Sequence, residues 1–163
     1  MTRVNFQIDP SELCDQHLRA EWRELMRLRH AAAKRIQELD RAAALGKRAR
    51  AIPPTFRLGT GHVRYFADKG VEVITRHKAI YDEMIHRGFQ PDETKLLTSG
   101  VWPKRLYHSA NLSSAQRGHA RSLLQQRISL RLAEGRPKLP RWTNRHRPTW
   151  CNLERLKQMI ISQ

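Results

Sequence analysis

Acidic residues are scarce in this chain: 15 Asp and Glu stand against 31 Lys and Arg, for a formal net charge of +16 over 163 residues. A cationic excess spread along the whole length implies a polyanionic partner, and nucleic acid fits best at this size. Long apolar runs are missing too. No uninterrupted stretch reaches the roughly 20 residues of a spanning helix, so no membrane role is expected. The opening MTRVNFQIDP lacks the apolar core of a secretory signal. Cysteine is nearly absent, and Cys14 and Cys151 alone suit a reducing compartment, with a disulfide between them allowed but not required. The cytoplasm or nucleoid is the expected location. Internal repeats and alternating strand patterns are also lacking, which leaves an all-α class. Gly59-Thr60-Gly61 has no following Walker lysine and no preceding strand pattern, so it is not a phosphate loop.

What is present is enough apolar residue for one real core. The hydrophobic share is 39%, with four Trp and four Phe, which argues against global disorder and for a single domain over residues 1–163. Asp9-Pro10-Ser11-Glu12 reads as a capping box with proline at the first helical position. Leu18, Trp22, Leu25, Ala32 and Ile36 then recur at helical spacing, so a first helix runs to about Leu39 or Ala44. A basic, proline-ended loop follows at Gly46–Pro54. Val63, Phe66, Val73, Ile74, Ile80, Tyr81, Met84 and Ile85 mark a second helical region with a weak point at Gly70, stopped by Gly88-Phe89 and Pro91. Asp92 to Leu112 reads as loop. Ser113 or Ser114 caps a third helix carrying Leu123, Leu124, Ile128, Leu130 and Leu132 until Gly135 and Pro137. Beyond a basic, proline-broken stretch, Leu153, Leu156, Met159 and Ile160 suggest a further C-terminal helix.

Two carboxylates sit oddly in the first helix. In LRAEWRELMR, Glu21 and Glu24 lie among Arg19, Arg23 and Arg27. Such charges weaken binding to a polyanion, so they either solvate a helix face in ion pairs with arginines three or four residues away or do chemistry. His17, Glu21, Glu24 and Arg27 share one stripe, expected to flank the core without entering it. Taken alone, Thr2 is a frayed terminal residue, and His17 and His62 are hydrogen-bonding residues at the core edge.

The segments MTRVN, SEL, DQHLRAEWREL, PTFRLGTGHVRYFADK, RGF and RPTW occur in the same order as their counterparts in the pyrimidine-dimer DNA glycosylase family typified by phage endonuclease V, which this chain resembles. The match is dense over residues 1–92 and sparse until Arg147-Pro148-Thr149-Trp150. The resemblance implies a compact all-α domain of about three main helices. It also implies a nucleophile in the α-amine of Thr2, freed by removal of the initiator methionine. An α-amine has a reference pKa of about 7.7–8.0, so part of it is unprotonated near neutrality without the depression a lysine would need. In the family this amine attacks the sugar's anomeric carbon, expels the base and leaves an imine that permits β-elimination at an abasic (AP) site, with no metal or other cofactor. Glu24 resembles the family's catalytic glutamate, which stabilises the cationic sugar and imine and moves a proton during elimination. His17 and Glu21 match positions implied to orient groups or transfer protons later.

The partner implied is double-stranded DNA, damaged or abasic, bound by a monomer. Arg3, Arg23 and Arg27 lie beside the proposed nucleophile and match basic family positions. Lys47, Arg48 and Arg50 form a second patch, and Arg131, Arg136 and Arg147 extend the candidates toward the C-terminus. Residues 136–163 are a divergent extension: the family's aromatic, lysine-rich tail is replaced by CNLERLKQMIISQ, which carries no tyrosine. Removal of a modified base other than a pyrimidine dimer is therefore an alternative substrate, and a noncatalytic DNA-binding or nucleoid protein on the same scaffold is the alternative function. An RNA-binding role finds no aromatic-rich signature in the sequence.

Overall fold

The structure, a computed structural model, describes residues 4–54, 62–109, 115–133 and 140–152, with the side chains of 62, 101, 115–120 and 131–133 outside that description. Four helices follow in order: α1 (Asp15–Ala44), the short α2 (His62–Tyr65), α3 (Gly70–His86) and α4 (Ala115–Ala133). Short 3-10 turns fill the connections, and no strand occurs among the described residues, as the all-α reading expects.

The long α1 carries the core. Its expected stripe is buried at Leu18, Trp22, Leu25 and Ala32, joined by Leu28, and it packs on Val73, Ile80 and Met84 of α3. Each fully buried leucine or isoleucine here contributes on the order of 2 kcal/mol. Trp22 stacks on the His77 imidazole at a centroid distance of 3.9 Å, locking α1 against α3. Not every apolar position points inward: Val63 and Ile85 of the second region and Leu130 of α4 are exposed.

The helix starts and stops show where local signals suffice. The stop expected at Gly88 forms, and Gly46 closes α1 in the same way. Gly88, at φ +80°, lets Phe89 N–H donate to Met84 O at 2.9 Å and Gly88 N–H to Ile85 O at 2.8 Å, a Schellman motif that ends α3. Gly46, at φ +61°, ends α1 by the same pair of bonds through Lys47 and Ala42. The start of α1 differs from expectation. Asp9 does accept from Ser11 N–H at 2.9 Å, but the turn it caps covers only Pro10–Glu12, and α1 begins at Asp15. The capping box does not form because the Glu12 carboxylate is taken by Arg121 of α4, in a fork of bonds at 2.7–3.1 Å, and by the Trp150 indole N–H. Gly70 is the break point expected, for a reason of packing. A Cβ there would lie 2.4 Å from Trp102 Cδ1 and 2.8 Å from Tyr107 Cδ2, so only glycine lets residues 102–107 cross the start of α3. Ser113, Ser114 and residues 153–162, read as a helix cap and a C-terminal helix, lie outside the described residues.

Arg87, just past α3, is fully buried and ties these parts together. Its Nε donates to Glu83 at 2.7 Å, Nη1 to Leu13 O and Asp15 at 2.8 Å, and Nη2 to Pro10 O and Ser11 O at 3.2 and 3.1 Å. All five N–H donors of the guanidinium are thus satisfied. Asp15 also accepts from Thr143 N–H and Oγ1, and Glu83 accepts a fork from Arg145, which fastens residues 141–145 over the same corner. Burial pushes the Glu83 carboxyl up, but the hydrogen bonds and charges of Arg145 and Arg87 outweigh it and leave the group below the ordinary glutamate range.

Replacing Arg87 by Met takes a buried cation from Asp15 and Glu83 and the donors from the Pro10, Ser11 and Leu13 carbonyls, and should cost about 3–5 kcal/mol in urea unfolding. A loss under about 1 kcal/mol would refute its role as the corner tie. A separate expectation concerns pH. His77 Nδ1 accepts from Leu97 N–H at 3.0 Å, and burial pushes the imidazole down to about 4. Unfolded histidine takes a proton near pH 6.5 while folded His77 does not, so its contribution is complete above about pH 6.5 and fades as pH falls toward 4. His77→Gln, which keeps an acceptor for Leu97, should flatten the stability profile between about pH 6.5 and 4.5.

Candidate active site and nucleic-acid interface

One face of α1 was expected to carry His17, Glu21 and Glu24 beside the core. The structure divides them. Glu24 is partly open, with a side-chain exposure of 17%, and its carboxylate lies 3.3 Å from Arg27 Nη1, whose side chain is 77% exposed. Glu21, by contrast, is fully buried, which corrects the expectation that both carboxylates stay outside the core. Its cover comes from parts remote in sequence. Arg76 of α3 donates Nε to Glu21 Oε1 at 2.8 Å, and Asn5 donates its amide to Oε2 at 2.9 Å. Arg76 also donates Nη1 to Ile8 O at 2.6 Å. The segment from Val4 to Ile8 therefore lies against α1 and α3, held by a buried ion pair with both carboxylate oxygens occupied.

His17 is buried at the near end of the same face. The Cys14 sulfur lies 3.1 Å from its Nδ1, and burial pushes the Cys14 thiol up to about 11. Cys14 and Cys151 are both free and buried.

Arg19, Arg23 and Arg27 project from α1 at intervals of four residues and are all exposed, forming a cationic row beside Glu24. Lys47, Arg48 and Arg50 do gather. With Lys34 and Arg41 they line a cleft of about 380 Å³ where the chain folds back along the end of α1, held by Arg35 donating to Arg50 O at 2.8 Å. Arg147 is exposed, with its guanidinium 5.6 Å from the Trp142 ring centroid. Thr2, Arg3 and Arg136 lie outside the described residues, as does the side chain of Arg131 on α4. The residues that sequence reading missed are Asn5, Arg76 and Arg141. A signal existed for Arg76: it falls between Val73 and Ile80 in phase with the buried face of α3, where a charge needs a buried partner.

Glu21 and Glu24 should separate in a stability measurement. Glu21→Ala leaves Arg76 buried without its carboxylate and should cost about 3–5 kcal/mol. Glu24→Gln loses only a pair with an exposed arginine and should stay within about 1 kcal/mol of the parent. Equal losses in thermal or urea melts would refute this division.

The family model for pyrimidine dimer DNA glycosylases matches residues 1–97, which span the segment at Val4–Ile8, the carboxylate-bearing α1, α3 with Arg76, and Arg87 just past it. The conclusion agrees with an exposed cationic row flanking one partly exposed carboxylate: this chain belongs to the pyrimidine dimer DNA glycosylase family, whose members repair DNA.

Proposed function

We propose that the chain is a DNA repair glycosylase with associated AP lyase activity, in which the Thr2 α-amine is the nucleophile and Glu24 the catalytic carboxylate. The observation that carries this reading is the tether between Asn5 and Glu21. Three peptide units separate Thr2 from Asn5, about 10 Å at full extension, which limits how far the amine can travel from the face of α1 that bears Glu24. The buried Glu21–Arg76 pair supports the tether and leaves Glu24 as the carboxylate open to a bound strand.

In the chemistry proposed, the amine lone pair forms a bond to C1′ of the deoxyribose as the glycosidic bond breaks. The base departs with the electron pair of the broken glycosidic bond and takes up a proton. Loss of the amine proton with ring opening gives the imine, and removal of a C2′ proton then expels the 3′ phosphate. Positive charge grows at C1′ and nitrogen in these steps, and an ionised Glu24 stabilises it. The acid that would hinder plain phosphate binding is in this reading the price of catalysis. Arg23 and Arg27 hold the flanking phosphates, with Arg3 as a further contact. Their attraction offsets the few kcal/mol needed to distort the duplex or extrude a nucleotide. The substrate proposed is a damaged pyrimidine, the dimer by family membership, in double-stranded DNA.

Borohydride reduction during incubation with an abasic or ultraviolet-damaged duplex tests the reading directly. Protein freed of Met1 should become covalently joined to DNA through Thr2, and an uncleaved N-terminal extension should abolish the adduct. Glu24→Gln should retain DNA binding while strand cleavage falls at least about a hundredfold. Absence of any adduct, with binding intact, would favour a noncatalytic DNA-binding protein instead.

A further inference from the structure

The stretch from Pro140 to Arg147 lies beyond the family match, yet it is fastened to the first turn of α1. Asp15 N–H donates to Arg141 O at 2.7 Å, Arg141 N–H to Gln16 Oε1 at 3.4 Å, and Thr143 Oγ1 to Asp15 at 2.7 Å. Arg145, bound to Glu83, closes a turn in which its N–H donates to Trp142 O at 3.1 Å. Asn144 occupies that turn at φ +54°, a left-handed conformation that asparagine tolerates better than most residues. The loop therefore has a built shape. Trp142 is oriented by its indole N–H, which donates to Glu12 O at 3.0 Å, and it packs against Ile128 and Cys151. Arg147 lies over its ring. Between them opens a cleft of about 460 Å³ lined by Pro140, Arg141, Trp142, Thr143, Arg145 and Arg147.

Arg145 is committed to Glu83, but Arg141 and Arg147 are exposed and make no ion pair among the described residues. Two cations on the rim of one shaped cleft, without a carboxylate partner among the described residues, attract an anion. Their location says which. Gln16, which accepts from Arg141, lies in line with Arg23 and Arg27, seven and eleven residues along the same helix face. At 1.5 Å per residue the row from Gln16 to Arg27 is about 16 Å long, comparable with the rise of about five nucleotides.

We propose that Arg141 and Arg147, the latter held by Trp142, form a phosphate-binding cradle for the DNA backbone about four nucleotides from the damaged one, extending the Arg19–Arg23–Arg27 row past the end of α1. This rests on the DNA-repair reading above. The cradle would supply, from this chain's own extension, grip on the strand flanking the lesion where the family's aromatic tail is missing.

The test is the salt dependence of binding to a duplex carrying a single tetrahydrofuran abasic analogue. Combining Arg141→Ala with Arg147→Ala should lower affinity on the order of tenfold to a hundredfold at 0.1 M salt and make the log–log salt slope shallower by about two. Because both side chains are exposed and have no carboxylate partner among the described residues, the double variant should melt with the parent. A control combining Lys95→Ala and Lys104→Ala removes the same charge from the 93–106 loop and should keep the parent slope. If the double variant binds with the parent's affinity and slope, or if the control loses as much, the cradle is refuted while the repair reading stands. If the parent itself shows no salt-dependent DNA binding, the repair reading fails first.

Discussion

A single buried guanidinium sets the arrangement of this protein. An arginine taken out of water without partners would be prohibitively costly, so Arg87 is tolerable only where five acceptors converge on it. Those acceptors come from the Pro10–Leu13 turn, from the start of α1 and from the last turn of α3. Satisfying one side chain therefore fixes the angle at which the N-terminal segment enters α1 and where α3 ends against it. Asp15 and Glu83 pass the constraint on to residues 141–145, and Glu12 passes it to Arg121 and Trp150. The extension beyond the family match is thereby seated on the same corner as the N-terminal segment.

With that corner fixed, α1 can offer three electrostatic environments along one helix. Glu21 is buried, and its charge is spent internally on Arg76 and Asn5. Glu24, one turn on, is partly exposed beside an exposed arginine. Arg19, Arg23 and Arg27 face solvent. A surface of net charge +16 attracts DNA without help from any one residue. In the function proposed, what separates chemistry from mere binding is Glu24, whose ion pair along α1 is with an exposed arginine.

The elements that could be read locally were read correctly where one short-range interaction decides them. The glycines after α1 and α3 end those helices because a left-handed residue completes a Schellman motif with no help from elsewhere. The apolar period of Leu18, Trp22, Leu25 and Ala32 identified the buried face of α1. Misreadings arose where a distant partner competed. The Asp9–Glu12 cap signal was real, yet Glu12 is drawn to Arg121 and Trp150, and the turn stops before α1 begins. Leu130 fits the helical period of α4 but is exposed, since nothing among the described residues packs over it.

The sequence by itself determined the helical class, the cationic excess and the family's ordered motifs. These follow from composition, from short-range backbone chemistry and from residue order, none of which needs a partner from afar. Only the tertiary structure decided which glutamate is buried and which is open, because Glu21 and Glu24 are alike in local sequence and differ in what α3 and the Val4–Ile8 segment lay over them. The same holds for Arg141: its place at the end of the arginine row comes from contacts with Asp15 and Gln16 across most of the chain, and charge pattern alone carries no such distance information.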